Sequence, residues 1–271
     1  MNNREAYSRL RHAFEDMYLP ESEAEAREVI CHFAACSSGD LISKFDEEAS
    51  FDCDAVIRER RSGRPLAYII GEKHFYGLSF YVDERVLIPR YDTEIIVSEA
   101  LDIINKTGAK NILDLCCGSG CIGISLRKNA DINVTMSDVS EGALEVAGVN
   151  SERNGASDIR QVQSDLFSDI EDRFDMIVSN PPYVTDEEYK RLDIQVRDYE
   201  PSSALLGGLR YYERIAGDAG GYLKRGGHLL LEIGYGQEDA VKQLLEDNGY
   251  TDIRSVNDLN GIPRVIVCTK S

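Results

Sequence analysis

From residue 111 onward, short apolar strand-like runs alternate with helix-like segments, and this alternation constrains the fold more than any other feature of the chain. Strands are predicted at 111–115, 132–137, 159–163, 174–179, 228–233, 251–256 and 263–268. Helices are predicted at about 120–129, 140–153, 185–197, 209–224 and 236–247. Such alternation is typical of a mostly parallel sheet with helices on both faces. The short Gly261-Ile-Pro263 turn is consistent with an antiparallel edge pair formed by the last two strands.

The residues before this region have a different pattern. Tyr7, Leu10, Phe14 and Met17 share one face of an amphipathic helix. Further helices are predicted from Ser22 to Cys36 and between Asp52 and Arg61. We expect a small helical domain over residues 1–70 and a β-hairpin-like connector over 71–88. The main domain then covers residues 89–271.

The net charge of the chain is −18, from 48 acidic and 30 basic side chains. A field of this sign repels phosphate backbones, so we expect no stable binding of nucleic acid and favour neutral or basic protein partners. No apolar run is long enough for a membrane span, and the first residues lack a signal pattern. The chain is therefore expected to be cytoplasmic and to bind no membrane. We also expect a monomer.

The seven cysteines form an odd set without a secretory signal, which favours reduced thiols over disulfides. Cys116, Cys117 and Cys121 are close in sequence, but no second Cys/His pair lies at ligand spacing. We therefore expect no metal site.

A glycine-rich loop follows the first predicted strand of the sheet. Gly118-Ser119-Gly120 together with Gly123 forms a G-x-G-x-x-G pattern between a strand and a helix, which is typical of a nucleotide-containing cofactor. Asp138 ends the next strand, where a ribose-binding carboxylate is expected. Asp114 directly precedes the loop, where it would repel a pyrophosphate but can hold a cationic methionine end, directly or through water. The loop thus favours S-adenosylmethionine over a dinucleotide.

The third predicted strand ends in Ser164-Asp165-Leu166-Phe167. Asp165 can accept a hydrogen bond from an adenine amino group, and Leu166 can pack against the adenine face. The same four residues also suit a helix cap followed by core residues, and from the tetrapeptide alone this structural interpretation is the stronger one.

The fourth predicted strand ends in Asn180-Pro181-Pro182-Tyr183. Because proline has no N–H to donate, the chain must leave the sheet here as a stiff turn. The Asn180 side-chain oxygen and the Pro181 carbonyl can accept both N–H groups of a planar nitrogen and direct its lone pair at a methyl group. Tyr183 can pack flat against the same acceptor group. This arrangement beside a cofactor loop indicates N-methylation rather than hydride transfer.

A further motif, Leu87-Ile-Pro-Arg-Tyr-Asp-Thr-Glu94, precedes an apolar helix predicted at 95–104. Asp92 or Thr93 can cap this helix, but capping gives no reason for Arg90. Arg90 and Thr93 are therefore candidates for lining the active site.

These motifs together resemble the PrmC/HemK family, the methyltransferases of class-1 peptide chain release factors. The resemblance rests on Leu87–Glu94, Asp114–Gly120 and Val178–Tyr183, and Tyr199-Glu-Pro201 followed by Ala204-Leu205 also matches. It implies a class I S-adenosylmethionine-dependent fold, which is α/β and Rossmann-like with a mostly parallel seven-stranded sheet, and a small N-terminal helical domain for substrate recognition. It also implies methylation of the side-chain amide of the glutamine in the release factors' GGQ motif, a reaction that supports translation termination.

The resemblance also assigns residues. Asn180, Pro181, Pro182 and Tyr183 would hold the substrate glutamine. The residues expected to bind the cofactor are Asp114, Cys116, Cys117, Gly118, Ser119, Gly120, Asp138, Asp165, Leu166 and Asn180. Two residues depart from the family pattern, because Cys116 replaces the usual first loop glycine and Tyr91 stands where many members have proline. A cysteine is tolerated at position 116 if its backbone is not left-handed, so the departure bears on cofactor affinity.

Three other functions stay open from the sequence. A DNA or RNA amino-nitrogen methyltransferase would use the same tetrapeptide on a flipped base, but the negative charge and the lack of a basic recognition region disfavour it. A methyltransferase that acts on a glutamine of a ribosomal protein is a closer alternative, and the motifs argue against it only weakly. A non-enzymatic cofactor-binding scaffold would predict the loss of Asn180 or Asp138, and both are present.

Overall fold

In the computed structural model, which describes residues 1–271, the chain forms two compact units. The N-terminal unit comprises Met1–Gly71 and the later segment Ile194–Tyr199, and the second unit comprises Glu72–Asp193 and Glu200–Ser271. None of the helices combines the length and the apolar character that crossing a bilayer requires.

The N-terminal unit is helical, as its sequence pattern predicts. Its elements before residue 72 are α1 (Asn3–Asp16), α2 (Ser22–Phe33), α3 (Leu41–Lys44), α4 (Cys53–Arg61) and α5 (Leu66–Ile70). Leu10, Phe14 and Ile30 are fully buried and form part of its own core. Arg60 and Glu25 form a two-point ion pair inside this unit, with N–O distances of 2.7 and 2.8 Å.

One segment of the N-terminal unit comes from later in the chain. The expected domain boundaries placed 194–199 in the main domain, but the structure groups this segment with the N-terminal helices. The Tyr199 hydroxyl donates a hydrogen bond to the Ser62 carbonyl at 2.9 Å, and the Tyr199 ring packs over Gly63. This grouping depends on contacts between residues far apart in sequence, which local patterns do not reveal.

The second unit begins with an antiparallel hairpin of β1 (Lys73–Phe75) and β2 (Leu78–Phe80), as expected for the connector. A single 3₁₀ turn at Tyr91–Thr93 then leads into α6 (Glu94–Thr107). Thr93 lies at the N-cap position of α6, but its side chain makes no capping hydrogen bond. The hydroxyl of Thr93 is therefore available for a different contact.

The central sheet has seven strands, as predicted. They are β3 (Asn111–Leu115), β4 (Asn133–Asp138), β5 (Arg160–Gln163), β6 (Phe174–Ser179), β7 (Leu223–Glu232), β8 (Tyr250–Asn257) and β9 (Pro263–Lys270). Their order in the sheet is β5-β4-β3-β6-β7-β9-β8. The first five pair in parallel, whereas β9 runs antiparallel to both β7 and β8. The mostly parallel sheet and its antiparallel edge pair are thus confirmed.

Helices cover both faces of this sheet. The remaining helices are α7 (Cys121–Asn129), α8 (Glu141–Arg153), α9 (Asp186–Tyr189), α10 (Ile194–Arg197), α11 (Arg210–Tyr222) and α12 (Glu238–Asp247). Successive strand residues point to opposite faces, so Ile112 packs in the core beneath α6 and α7, and Leu113 packs in the core beneath α11 and α12. Both side chains are fully buried.

The prediction of one continuous helix at 185–197 is wrong. The structure has two short helices there, α9 and α10, and neither buries a side chain. A long surface helix is stabilised when it packs an apolar stripe against a core, and the structure buries no side chain of these two helices. Thr185 and Glu188 form a capping box that fixes the start of α9.

Candidate active site

A cavity opens where the carboxyl ends of β3 to β6 meet, and it contains most of the residues that the sequence singled out. Strands β4 and β6 lie on opposite sides of β3, so the connections from β3 diverge at this point. In open α/β sheets, ligands bind at such a switch point. The predicted site residues that line the cavity are Arg90, Thr93, Cys116, Cys117, Gly118, Ser119, Asp138, Asp165, Leu166, Asn180 and Pro182.

The glycine-rich loop after β3 forms one wall of this cavity. Gly118 has φ +52° and Gly120 has φ +78°, a conformation that side chains disfavour. A Cβ on Gly120 would lie 2.9 Å from the Met136 sulfur and 3.0 Å from the Ile124 side chain, so only glycine fits there. Gly120 thus supports the cavity wall from behind.

Cys116, at the start of the same loop, is also left-handed, with φ +61°. The condition under which a cysteine would be tolerated without strain is therefore not met. A left-handed backbone costs a non-glycine residue about 1 kcal/mol or more. The structure thus gives a physical reason for a glycine at this position and shows that Cys116 is strained.

Asp138 lies at the end of β4 and lines the cavity as predicted. One of its carboxylate oxygens accepts the Gly118 N–H and the other accepts the Ser140 N–H, both at 2.9 Å. Burial raises the pKa of Asp138, and these backbone hydrogen bonds oppose the shift. Each oxygen keeps a lone pair, so the carboxylate can still accept hydroxyl hydrogens of a ligand.

The loop chemistry predicts that Asp114 holds the methionine end of a cofactor directly or through water, but Asp114 does not itself line the cavity. It is fully buried behind the loop, where its Oδ2 atom accepts the Gly123 N–H at 2.8 Å. Its Oδ1 atom is buried without a hydrogen-bond partner. Burial raises the pKa of Asp114 to about 7, although the Gly123 hydrogen bond opposes the shift. In this structure Asp114 holds the loop against the start of α7.

Strand β5, the third of the predicted strands, is followed by a turn rather than a helix cap. The Ser164 hydroxyl donates to the Leu166 carbonyl at 2.7 Å and fixes Leu166 in a left-handed conformation, with φ +54°. Leu166 and Val139 contribute apolar atoms to this end of the cavity. Asp165 also lines it and forms an ion pair with Arg214 at 3.0 Å. The tetrapeptide therefore lies at the cavity, which its sequence alone did not favour.

The Asn180–Tyr183 tetrapeptide divides between the cavity and the core. Asn180 and Pro182 line the cavity, whereas Pro181 and Tyr183 do not. The Asn180 Nδ2 atom donates to the Thr93 hydroxyl at 3.3 Å. The Tyr183 ring packs against the core beneath α11 and α12 instead of facing the cavity, and its hydroxyl donates to Glu232 at 3.5 Å. The expected stacking of Tyr183 on an acceptor group is therefore not seen in this arrangement.

Other contacts hold the tetrapeptide in place from behind. The Gln237 side chain donates to the Tyr183 carbonyl at 2.9 Å. Gly207 packs directly on Pro182, since a Cβ at position 207 would lie 1.9 Å from the Pro182 carbonyl oxygen. The sequence analysis missed Gly207 and Gln237, because nothing local in the sequence links them to a motif that ends at residue 183.

Arg90 lies at the cavity and is held by a buried partner. The guanidinium is 2.5 Å from a carboxylate oxygen of Glu200, and the other oxygen of Glu200 accepts the Ile88 N–H at 3.3 Å. Burial raises the pKa of Glu200, and the Arg90 charge opposes the shift. The resemblance included Glu200 in a matching motif but gave it no role.

Three cysteines, Cys116, Cys117 and Cys121, line the cavity. Burial raises the pKa of all three thiols far above neutral pH, so they stay protonated and are poor nucleophiles and metal ligands. No group of His, Cys, Asp and Glu side chains in the chain is arranged to hold a metal ion.

Solved structures share this fold at low sequence identity. The catalytic domain of hMettl16, solved with a MAT2A 3'UTR hairpin, aligns with a TM-score of 0.60 and 17% identity over 80% of this chain and 82% of that chain. The Thermus thermophilus 16S rRNA N2 G1207 methyltransferase RsmC, solved with AdoMet and guanosine, aligns with a TM-score of 0.52 and 16% identity over 74% of this chain and 50% of that chain. These likenesses concern the fold alone.

Sequence comparison gives the family. The methyltransferase small domain matches residues 95–196, and the PrmC N-terminal domain matches residues 5–71. A release factor glutamine methyltransferase of Thermodesulfovibrio yellowstonii is 38% identical over 91% of this chain and 92% of its own length. A release factor glutamine methyltransferase of Clostridium acetobutylicum is 33% identical over 98% of this chain and 96% of its own length. The Fusobacterium nucleatum relative is 39% identical over 80% of this chain, and the match spans 63% of that longer protein. The chain therefore belongs to the release factor glutamine methyltransferase family, as the resemblance indicated.

Proposed function

We propose that this protein transfers a methyl group from S-adenosylmethionine to the side-chain amide nitrogen of the glutamine in the GGQ motif of class-1 peptide chain release factors. The observation that carries the proposal is that Asn180 and the glycine-rich loop line one cavity in a chain of this family. A methyl donor on the loop would then lie next to an acceptor nitrogen held at Asn180.

The loop side of the cavity fits S-adenosylmethionine. The Asp138 carboxylate can accept the ribose hydroxyls, and Leu166 and Val139 offer an apolar surface for the adenine ring. Gly118, which lines the cavity, lets the backbone approach the ligand closely because it has no side chain. When bound, this cofactor supplies an electrophilic methyl group. A solved methyltransferase of the same fold, RsmC, was crystallised with AdoMet.

The other side of the cavity fits a planar amide. Because the Asn180 Nδ2 atom is directed to Thr93, the Asn180 side-chain oxygen is left to accept a substrate N–H. We assign the second N–H to the Pro181 carbonyl, which directly follows Asn180 and is held by the two prolines, although Pro181 does not line the cavity in this structure. Accepting both hydrogens directs the nitrogen lone pair and stabilises the positive charge that develops on methylation.

No side chain at the site needs to act as a general base. The amide nitrogen can lose its proton after it has attacked the methyl group. Burial beside Glu232 raises the pKa of Tyr183, so this phenol stays protonated and cannot serve as a base at neutral pH. We therefore assign Tyr183 to packing and hydrogen bonding within the site.

Charge favours a protein substrate over nucleic acid. The net charge of −18 opposes the approach of a phosphate backbone and favours neutral or basic protein surfaces. The N-terminal unit is proposed to recognise the release factor. All seven cysteines are free thiols, which suits the proposed action in the cytoplasm. We also propose that the protein acts as a monomer.

A labelling experiment tests the proposal. Purified protein with methyl-labelled S-adenosylmethionine should label a class-1 release factor, and a factor with its GGQ glutamine changed to alanine should stay unlabelled. DNA, RNA and ribosomal proteins serve as competing substrates in parallel reactions. Equal labelling of the altered factor, or stronger labelling of a competing substrate, would contradict the assignment.

The Asn180→Ala variant tests the site itself. It should lose at least about 100-fold in methyl transfer, because it removes one of the acceptors that act on the developing charge. Cofactor affinity should change by no more than about threefold, since less than about 1 kcal/mol of binding is at stake. Full activity of this variant would exclude Asn180 from the reaction.

A further inference from the structure

The 3₁₀ turn Tyr91–Thr93 carries part of the cavity wall. Arg90, directly before the turn, and Thr93, its last residue, both line the cavity. Helix α6 follows the turn and begins without a capping side chain. Tyr91 is the first residue of the turn, where a proline would fix φ but a tyrosine leaves it free. The position of the turn therefore depends on the contacts that its side chains make.

Arg264 pairs with the middle residue of this turn. The Arg264 Nη2 atom lies 3.0 Å from the Asp92 Oδ2 atom, and the Arg264 Nε atom donates to the Asp258 Oδ2 atom at 3.1 Å. One guanidinium thus joins two carboxylates, as its fork of N–H groups allows. The sequence suggested Asp92 as a cap for α6, but the structure pairs its carboxylate with Arg264.

The other contacts of Arg264 hold it in place. Asp258 is itself fixed, because its Oδ1 atom accepts the Asn260 N–H at 2.8 Å and the Ile262 N–H at 2.9 Å. Only 8% of the Asp258 side chain is exposed. The backbone carbonyl of Arg264 accepts the Ile233 N–H at 2.8 Å, which ties it to the residue that follows β7. The guanidinium is therefore a fixed partner for the turn.

The turn in turn positions a contact of the proposed acceptor site. The Thr93 hydroxyl accepts the Asn180 Nδ2–H at 3.3 Å, near the outer limit of a hydrogen bond. Thr93 directly follows Asp92, so a shift of the turn by about 1 Å would break this hydrogen bond. The Asn180 amide would then be free to rotate, and its oxygen would no longer be directed at the substrate. A misplacement of about 1 Å can cost about 100-fold in rate.

We propose that Arg264 is a positioning residue, which holds the Tyr91–Thr93 turn through Asp92 and so keeps the Thr93 hydroxyl in contact with Asn180. This inference rests on the proposed function, since Asn180 is the acceptor in that reaction. Arg264 itself does not line the cavity, so it acts through the turn and not on the ligands.

The test uses Arg264→Gln in the full chain, with methylation of a class-1 release factor as the assay. We expect kcat to fall by about 10-fold or more, because orientation at the acceptor is lost. KM for the release factor and cofactor affinity should stay within about threefold, which is under about 1 kcal/mol of binding.

Arg127→Gln is the matched control and should leave kcat unchanged. Arg127 forms an ion pair with Asp158 at 2.9 Å, and its side chain is 33% exposed, compared with 23% for Arg264. Arg127 does not line the cavity. The control variant thus loses an arginine ion pair of the same kind without disturbing the turn.

A double-mutant cycle with Thr93→Val separates positioning from a general loss of structure. Thr93→Val keeps the shape of the side chain but removes the hydroxyl, so it breaks the contact with Asn180 directly. Adding Arg264→Gln to Thr93→Val should cost less than about threefold in kcat, because both changes break the same connection. A double variant whose loss equals the product of the two single losses would overturn the positioning role.

Tyr91→Pro gives a second readout, because a proline would stiffen the turn without Arg264. Tyr91 is 69% exposed, and the backbone of Arg90 is already extended, as a residue before proline requires. The Tyr91 ring lies 4.8 Å from the Lys73 ammonium, and Tyr91→Pro in the wild-type background measures the effect of losing this contact. Relative to that reference, Tyr91→Pro should raise the kcat of Arg264→Gln by about threefold or more. No recovery would count against the proposal.

The outcomes are distinct from those for the proposed function. If the wild-type protein does not methylate a release factor, the proposed function fails. If the wild type is active and Arg264→Gln keeps its kcat, the positioning role is overturned. If Arg264→Gln does not fold, Asp92→Ala decides, because this half-exposed side chain is the other partner of the same ion pair. Asp92→Ala should lower kcat by about 10-fold or more, and an unchanged kcat would refute the proposal.

Discussion

Replacing Asp114 with asparagine removes one buried ionisable group and keeps the shape of the side chain. Asp114 is fully buried, and its Oδ2 atom accepts the Gly123 N–H at 2.8 Å. Asparagine can keep this acceptor in place. Its NH₂ group would replace the Oδ1 atom, which has no partner in the wild type, so any cost at that position does not depend on pH.

The magnitude follows from the two pKa values. Burial raises the pKa of Asp114 from 3.8 to about 7 in the folded protein. Between these values the folded state binds more protons than the unfolded state, so folding stability falls as the pH rises. The slope between the two pKa values is about 1.36 kcal/mol per pH unit. Relative to a pH below both values, the free energy of unfolding of the wild type is therefore lower by about 2 kcal/mol at pH 5 and by about 4 kcal/mol at pH 8. The advantage of Asp114→Asn should therefore grow by about 2 to 3 kcal/mol from pH 5 to pH 8.

Urea unfolding of the cofactor-free protein at pH 5, 6, 7 and 8 measures this difference. Asp131→Asn is the control, because the Asp131 side chain is fully exposed and should show no such trend. If Asp114→Asn and the wild type differ by the same free energy of unfolding at every pH, the raised pKa of Asp114 is refuted. A growing disadvantage of the variant with pH would show that the ionised carboxylate stabilises the fold.

Two other predictions concern the cavity walls. Gly207→Ala should strongly reduce methyl transfer, because the new Cβ would lie 1.9 Å from the Pro182 carbonyl oxygen and displace it; Gly221→Ala, with open space around it, should be neutral in the same assay. Cys116→Gly should be more stable than Cys116→Ala by about 1 kcal/mol in urea unfolding, the reverse of the usual order, since φ is +61° there. A less stable glycine variant would contradict the strain at Cys116, and an active Gly207→Ala enzyme would contradict the bracing of Pro182.

Local patterns in the sequence determined the sheet and the position of the cavity. Each strand is a short apolar run, and each polar motif follows directly after a strand, so Gly118, Asp138 and Asn180 could be placed at one edge of a parallel sheet. The chemistry of the loop predicted the class of cofactor. The family followed from several motifs that occur together.

The tertiary structure decided which side chains cooperate. Thr93 and Asn180 lie 87 positions apart, and Tyr183 and Glu232 lie 49 apart, so no local pattern connects them. Glu232 is an acidic residue at the end of β7, the same pattern that singled out Asp114 and Asp138. Only the strand order shows that β7 lies next to β6. The backbone angle of Cys116 likewise depends on how the loop packs.

The sequence alone thus determined the strands of the sheet and the residues at their ends, because strand patterns and turn chemistry act over a few residues. Strand order and packing decided that Asp114 lies behind the cavity, that Tyr183 faces the core and that Glu232 accepts the Tyr183 hydroxyl. These contacts join residues from different strands, and their geometry exists only after the strands have packed side by side.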